Sequence, residues 1–408
     1  MAIKEFFEIP KRYRTWSLAL MGVGVLSVII GFFLYGTSEH PDRFWAALLQ
    51  NSVYFLLVVN ASMFFICATT LAWGSWQLTF SRVTEAISTA VIPIGIITAI
   101  ILICLVTIPD IHIYHWLHPH GDKILEGKSG FLNKGFFLVY TALTLVGWIA
   151  LGAKMRKLSR SLDENPLPST ESARKWLFKN TVWAAVFIVW FSLTVMSVVP
   201  WLWLMSIDAH WYSTMYSWYT FASTFVAGIA LLSLFVVYLK NQNYLQYTNE
   251  EHLHDLGKFM FAFSIFWTYL WFAQYMLIWY ANIPEETVYF RSRITTDHES
   301  GAYTGIFWFS FVINFLAPFL ILMTRGSKRN YTTVAMLAIV ILVGHWFDFY
   351  QMVFASVMKE HVTLNLFDFG VAAGFVGLIM FSVGRALSKA PMAGRNHPLL
   401  KESIIHHT

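Results

Sequence analysis

The sequence predicts an all-α integral membrane protein of ten transmembrane helices, one polytopic domain over residues 1–408. Three observations predict it. Of 408 residues, 57% are hydrophobic and only 12% charged, about half the charge of a soluble domain. The apolar residues gather into ten stretches, at roughly 16–35, 46–73, 86–108, 135–153, 180–204, 218–239, 259–281, 302–323, 332–356 and 366–384. Each is near the ~20 residues that cross a hydrocarbon core of ~30 Å, and backbone in hydrocarbon must satisfy its own hydrogen bonds, so the stretches are helices. Finally, the 28 Lys and Arg residues divide 21 to 7 between alternate loops, an asymmetry that assigns both termini to the cytoplasm. The net charge of +5 follows this membrane logic and is no nucleic-acid signal.

The first stretch follows Lys11, Arg12 and Arg14 and has no small-residue cleavage site after it, so it reads as a retained span rather than a signal peptide. Asn51 and Asn60 in the second, with Gln274 and Asn314 in the seventh and eighth, read as interhelical glue. Cys67 and Cys104 are placed inside spans, too few for a disulfide framework or an iron–sulfur cluster. The loop after the third span holds His112, His115, His118 and His120. It invites a zinc reading, but no Cys or well-placed acid completes a four-ligand set. The fourth span runs out into the basic segment Lys154–Arg160.

Trp16, Trp45, Trp73, Trp76, Trp116, Trp201, Trp203, Trp211 and Trp218 stand near span ends, where an aromatic belt is expected. Spans two to five and six to nine form a candidate internal repeat, 46–204 and 218–356. Span five ends in Trp201-Leu-Trp203 before Asp208, and span nine carries His345-Trp346 before Asp348.

One interior histidine and one clearly acidic interior residue stand out, His345 and Asp348. A haem b would need paired axial histidines within the spans, and His345 stands alone. Three residues apart, His345 and Asp348 share a helix face. An intramembrane acid costs about 2.5–3.5 kcal/mol at mid-span and normally faces a partner or a wet cavity. The functional reading is a proton-handling or quinol-proximal pair, joined at the outer side by Asp208 and His210; the structural reading is a buried tie between helices. At the inner face Asn249 precedes Glu250, Glu251, His252 and His254. These read as a capped helix start or as a proton-collecting group.

The longer strings carry a resemblance. His254-Asp-Leu-Gly-Lys258-Phe-Met-Phe-Ala-Phe, Phe272-Ala-Gln274-Tyr and Trp279-Tyr-Ala-Asn-Ile-Pro284-Glu-Glu286-Thr resemble one membrane subunit of bacterial alternative complex III. Tyr114-His-Trp116, Lys128-Ser-Gly-Phe-Leu132-Asn133 and His210-Trp-Tyr-Ser-Thr214 look like outer-loop signatures of the same subunit. The strings lie within roughly 110–290, and the ten-span pattern extends the likeness over the chain. The resemblance is to the smaller of two related subunits of the NrfD, or polysulfide-reductase-anchor, family.

It implies two four-helix bundles plus two extra helices, in a bacterial inner membrane. It implies a quinol-oxidising respiratory complex whose partners are the homologous membrane subunit, a multihaem cytochrome c and an iron–sulfur subunit. No cofactor is then expected on this chain; haem c and iron–sulfur clusters belong to the partners, and menaquinol or ubiquinol is the reductant. Scaffolding and proton conduction are the expected roles. Three alternatives compete: a stand-alone secondary transporter, a subunit that itself binds quinol, and an independent quinol enzyme. Transporters tend to show interrupted helices in matching halves, whereas here only Pro93, Pro200 and Pro318 interrupt spans. An independent enzyme lacks any haem, flavin or iron–sulfur ligand set.

Overall fold

A computed structural model describes residues 6–38, 41–291, 293–294, 301–359, 361–394 and 396–407, which form helices and turns with no strand among them. Among the described residues ten helices are long and apolar enough to cross a bilayer, the build of a multi-pass membrane protein. They are α1 (Lys11–Gly36), α2 (Asp42–Leu71), α3 (Ser81–Thr107), α4 (Lys134–Glu164), α5 (Thr170–Asp208), α6 (Thr214–Asn241), α7 (Glu250–Ala281), α8 (Thr304–Ile321), α9 (Tyr331–Val357) and α10 (Leu366–Leu387). Each of the ten expected stretches matches one of them; seven lie wholly within, and 46–73, 86–108 and 302–323 overrun their helices by one or two residues at an end. The basic runs at the end of α4 and the start of α5 are helical and continuous with the spans. Asparagine starts four of the ten: Asn133, Asn249, Asn330 and Asn365 each accept a backbone N–H of the first turn of α4, α7, α9 and α10, satisfying donors that have no partner within the helix.

Helices α2 and α6 are the axis of the molecule. The most apolar window of each is 83% buried, against 17% for α1. α2 packs on α3, α5, α6 and α9; α6 packs on α7 and α9. Contacts α3–α4 and α4–α5 close one ring around α2, and α7–α8 and α8–α9 close another around α6. Where α2 and α6 cross, a Cβ on Gly228 would stand 2.6 Å from Ala61 Cβ and 3.0 Å from the Val58 carbonyl, so only glycine lets the backbones meet. α1 packs chiefly on α10, where a Cβ on Gly24 would stand 2.3 Å from Gly374 Cα. Wide π-helical turns interrupt α1 at Phe32–Gly36, α5 at Thr194–Leu204 and α8 at Val312–Leu316. The second absorbs Pro200, whose ring cannot sit in a regular turn.

Two sequence expectations change. Asp348 is not the one buried acid in the spans: Glu85 in α3 and Asp255 in α7 are buried near span ends, and Asp368 is fully enclosed in the first turn of α10. Its Oδ2 accepts from Arg43 Nη2 at 2.6 Å, and the same guanidinium donates to the Thr363 carbonyl at 2.8 Å and lies against Tyr35, Phe354 and Phe367. Position near a helix end made both residues look like loop charges. The aromatic belt also thins. Trp16, Trp73, Trp201 and Trp218 are exposed, but Trp116, Trp203 and Trp211 are buried, and Trp203 donates to Thr141 Oγ1 at 2.9 Å. Cys104 is half-buried and Cys67 buried.

Candidate functional site

His345 and Asp348 sit fully buried in α9, facing α6 and α7. The Asp348 carboxylate accepts on both oxygens. Tyr219 Oη and Gln351 Nε2 (3.3 Å) donate to Oδ1; Ser223 Oγ (3.0 Å) and Trp267 Nε1 (3.0 Å) donate to Oδ2. Four donors converging on one side chain is the environment of an ionised carboxylate. An acid there without them would carry the full desolvation cost of a buried charge.

Ser223 Oγ also stands 2.9 Å from His345 Nδ1. A hydroxyl has one proton, and here it goes to the acceptor-only carboxylate, so Ser223 accepts from His345 Nδ1–H. This assigns the tautomer. In neutral His345 the lone pair is then on Nε2, and Nε2 has no hydrogen-bond partner among the described residues. The ring is held edge-to-face against Trp267 at 5.3 Å between centroids. The result is a base whose rear nitrogen is anchored through a serine to a carboxylate, and whose front nitrogen is open to a donor.

Other polar atoms lack protein partners nearby. Asn314 Oδ1 packs against Gly344, where a Cβ would stand 2.1 Å away, and neither Asn314 polar atom is hydrogen-bonded. Ser264 Oγ, Ser310 Oγ and Gln274 Nε2 are in the same state on the inner faces of α7 and α8. Of the four amides expected to glue helices, Asn51 does so by accepting from Trp346 Nε1; Asn60, Gln274 and Asn314 leave polar atoms unpaired.

The remaining candidates lie apart from this pair. Asp208 is half-buried at the end of α5 and has Tyr289 as a neighbour in common with Asp348; burial raises the Tyr289 phenol, Arg293 opposes, and both acids add to the rise. His210 is exposed and pairs with Asp122 at 2.9 Å, so the expected four-residue cluster reduces to His345 and Asp348 with Asp208 at its edge. His210 follows the turn out of the membrane, where a soluble-facing acid is the nearer partner. On the opposite face Glu250 is exposed, Glu251 pairs with Arg329 at 2.8 Å, and His252 binds Asn249 Oδ1 (2.6 Å) and the Ser403 carbonyl (2.9 Å). His254 is buried 3.8 Å from Asp255. From there to Ser264 runs about 15 Å of helix, on which Leu256 and Met260 are buried. These four residues lie in the first turns of α7, well before Trp267, the α7 residue that meets the His345 pair. In the loop after α3, His118 and His120 rings are 6.2 Å apart, and no three His, Cys, Asp or Glu side chains among the described residues form a metal-holding group.

Sequence reasoning missed Tyr219, Ser223, Trp267 and Arg293. Ordinary Ser, Tyr and Trp residues in a span carry no signal until the packing shows which face they occupy. It also missed a small cavity at the basic face, lined by Gln77, Arg82, Glu85, Trp176, Asn180 and His397. Arg82 there is buried, bound to Glu85 at 3.0 Å and to both oxygens of Asp163 at 2.6–2.7 Å.

The chain matches no protein-family model and no curated protein.

Proposed function

We propose that this chain is a membrane subunit of a respiratory quinol-oxidising complex in a bacterial inner membrane, one that scaffolds the redox subunits and handles protons at His345. In this reading the two helix rings are two four-helix units, α2–α5 and α6–α9, with α1 and α10 as the extra pair and both termini in the cytoplasm. The observation that carries it is the anchored, open-faced histidine in only one of the two units. Where α9 holds His345 and Asp348, the interior of the first unit holds tryptophan–threonine pairs, Trp148–Thr194 and Trp203–Thr141. In this reading proton exchange belongs to the second unit; in the first, the buried Arg82 and Glu85 are paired with one another, and Arg82 with Asp163, at its basic end.

Quinol oxidation yields two electrons and two protons. Electrons pass to haem c and iron–sulfur groups on partner subunits, since His345 alone offers no axial pair for a haem b. This chain's share is the proton. His345 Nε2 takes it from a hydrogen-bond donor, Ser223 holds the ring, and Asp348 stabilises the imidazolium. The π-helical interruptions fall in α5, the last span of one unit, and α8, the third of the other. Transporters place such breaks at matching positions, so the stand-alone transporter is the weaker reading.

Affinity purification of the tagged chain from its own membranes tests the proposal. The expected preparation contains a multihaem cytochrome, seen by its reduced absorbance bands, an iron–sulfur protein and a second ten-span subunit. A chain that purifies alone, without haem absorbance and with transport activity in vesicles, is a transporter.

A further inference from the structure

Asp348 and Arg293 are both removed from water: Asp348 is 0% and Arg293 2% exposed. Arg293 follows the short helix Pro284–Arg291 that leads out of α7. Its guanidinium lies 3.6 Å over the Tyr289 ring and donates to the Tyr289 carbonyl (2.6 Å), the Gln351 carbonyl (3.1 Å) and Ser356 Oγ (3.2 Å). Gln351 in turn donates its side-chain amide to Asp348. One residue of α9 therefore links the cation to the carboxylate. Tyr289 is stacked on Trp211 at 4.1 Å between centroids and lies edge-on to Tyr216, which packs this end of the site against water.

Charge in so dry a place must balance. Among the described residues the titratable and charged groups around Asp348 are His345 on its own helix, Tyr216 and Tyr219 on α6, Tyr54 on α2, and Tyr289 with Arg293 on the segment after α7; Asp208 stands half-exposed at the edge of α5. The tyrosines are neutral. A lone carboxylate would draw a proton onto itself or onto His345, and His345 Nε2 would cease to be an open base. Arginine stays charged at every physiological pH.

We propose that Arg293 is the resting counter-charge of Asp348, a positioning residue that lets His345 wait neutral with Nε2 free to accept. The inference rests on the reading of His345 as the proton-handling base, and it assigns a role to a residue outside that pair. The charge is what matters, not the hydrogen bonds. Arg293→Gln keeps donors for the Gln351 and Ser356 oxygens and removes the charge, while Arg293→Lys keeps the charge and loses the planar fork.

Infrared difference spectra of the purified full chain in lipid nanodiscs at pH 7 read the outcome. Arg293→Gln should gain one bound proton at rest. It would show either as a buried carboxylic C=O band that vanishes in Arg293→Gln/Asp348→Asn or as an imidazolium band that vanishes in Arg293→Gln/His345→Gln. Arg293→Lys should look like the parent chain. If Arg293→Gln folds with the parent's thermal midpoint and shows neither band, or if Arg293→Lys shows the same band, the proposal is overturned. Should Arg293→Gln fail to accumulate, Arg293→Met is read by the same bands. These spectra need no partner subunit or quinol, so the counter-charge can fail while proton handling in the complex stands, and the reverse.

Discussion

Trp346 Nε1 donates to Asn51 Oδ1 across 2.8 Å, and this bond between α9 and α2 fixes the rotation that aims the neighbouring His345 at α6. Gln50 Nε2 adds a second tie, to the Trp346 carbonyl at 3.2 Å. A tryptophan on one side of α9 thereby orients a histidine on the other.

Asn51→Leu should destabilise the chain by about 1 kcal/mol, within the range measured for interhelical hydrogen bonds in membranes, because it leaves the buried Trp346 N–H unpaired. Trp346→Phe, which removes the donor, should cost its packing but strand no N–H at Asn51. Unfolding in mild detergent compares the two, and equal midpoints for Asn51→Leu and the parent would show that packing alone sets the rotation.

Ser223→Ala cuts the link from His345 to Asp348 while sparing the Trp267, Tyr219 and Gln351 donors. In the assembled complex, quinol turnover and proton release should both fall about tenfold or more, the lower reach of a positioned acid–base group. Stability should drop by only about 1 kcal/mol. Asp348→Asn should lower turnover further. Unchanged turnover together with unchanged proton stoichiometry in Asp348→Asn would leave Asp348 a structural residue.

The Arg43–Asp368 pair ties the start of α2 to the start of α10. Either Arg43→Met or Asp368→Asn alone should cost about 3–5 kcal/mol, because the surviving charge is buried without its partner. The double substitution should cost less than the sum of the two. Additive losses in a denaturant series would mean that the two residues act separately.

Acid should loosen the segment after α10. His397 packs edge-on to Trp176 at the basic-face cavity, and burial, helped by Arg82, pushes its imidazole down to about 4. The folded value is below the usual ~6.5 of the unfolded chain, so folding favours the neutral ring. Stability from this group is complete above about pH 6.5, declines as pH falls toward 4, and loses roughly 1–3 kcal/mol over that window. Hydrogen exchange at residues 396–407 should accelerate between pH 6.5 and 4, and His397→Phe should flatten the response. Acceleration that persists in His397→Phe would assign the effect elsewhere.

The spans were legible because ten runs of apolar residues leave the backbone no alternative in hydrocarbon. His345 and Asp348 were legible because titratable groups are costly there and so conspicuous. Asp368 and Arg43 were not, since each lies within a turn of a helix end, where charge is ordinary. Nor were Ser223, Trp267 and Arg293, whose roles depend on which way a helix is turned and how a loop folds back. Trp203 misled for the same reason: its place in the sequence fits a headgroup belt, and only the rotation of α5 shows that it points inward.

The close approach of Gly24 to Gly374 joins two helices separated by most of the chain. A ribosome delivering spans to the membrane in order releases α1 first and its chief partner last. During nearly the whole of synthesis α1 must wait in lipid as a single apolar helix, and its largely exposed face suits that wait. Closure of the molecule is then a late event, and a chain stalled before α10 should be recognisable by an unpaired α1 open to helix-binding chaperones and membrane proteases.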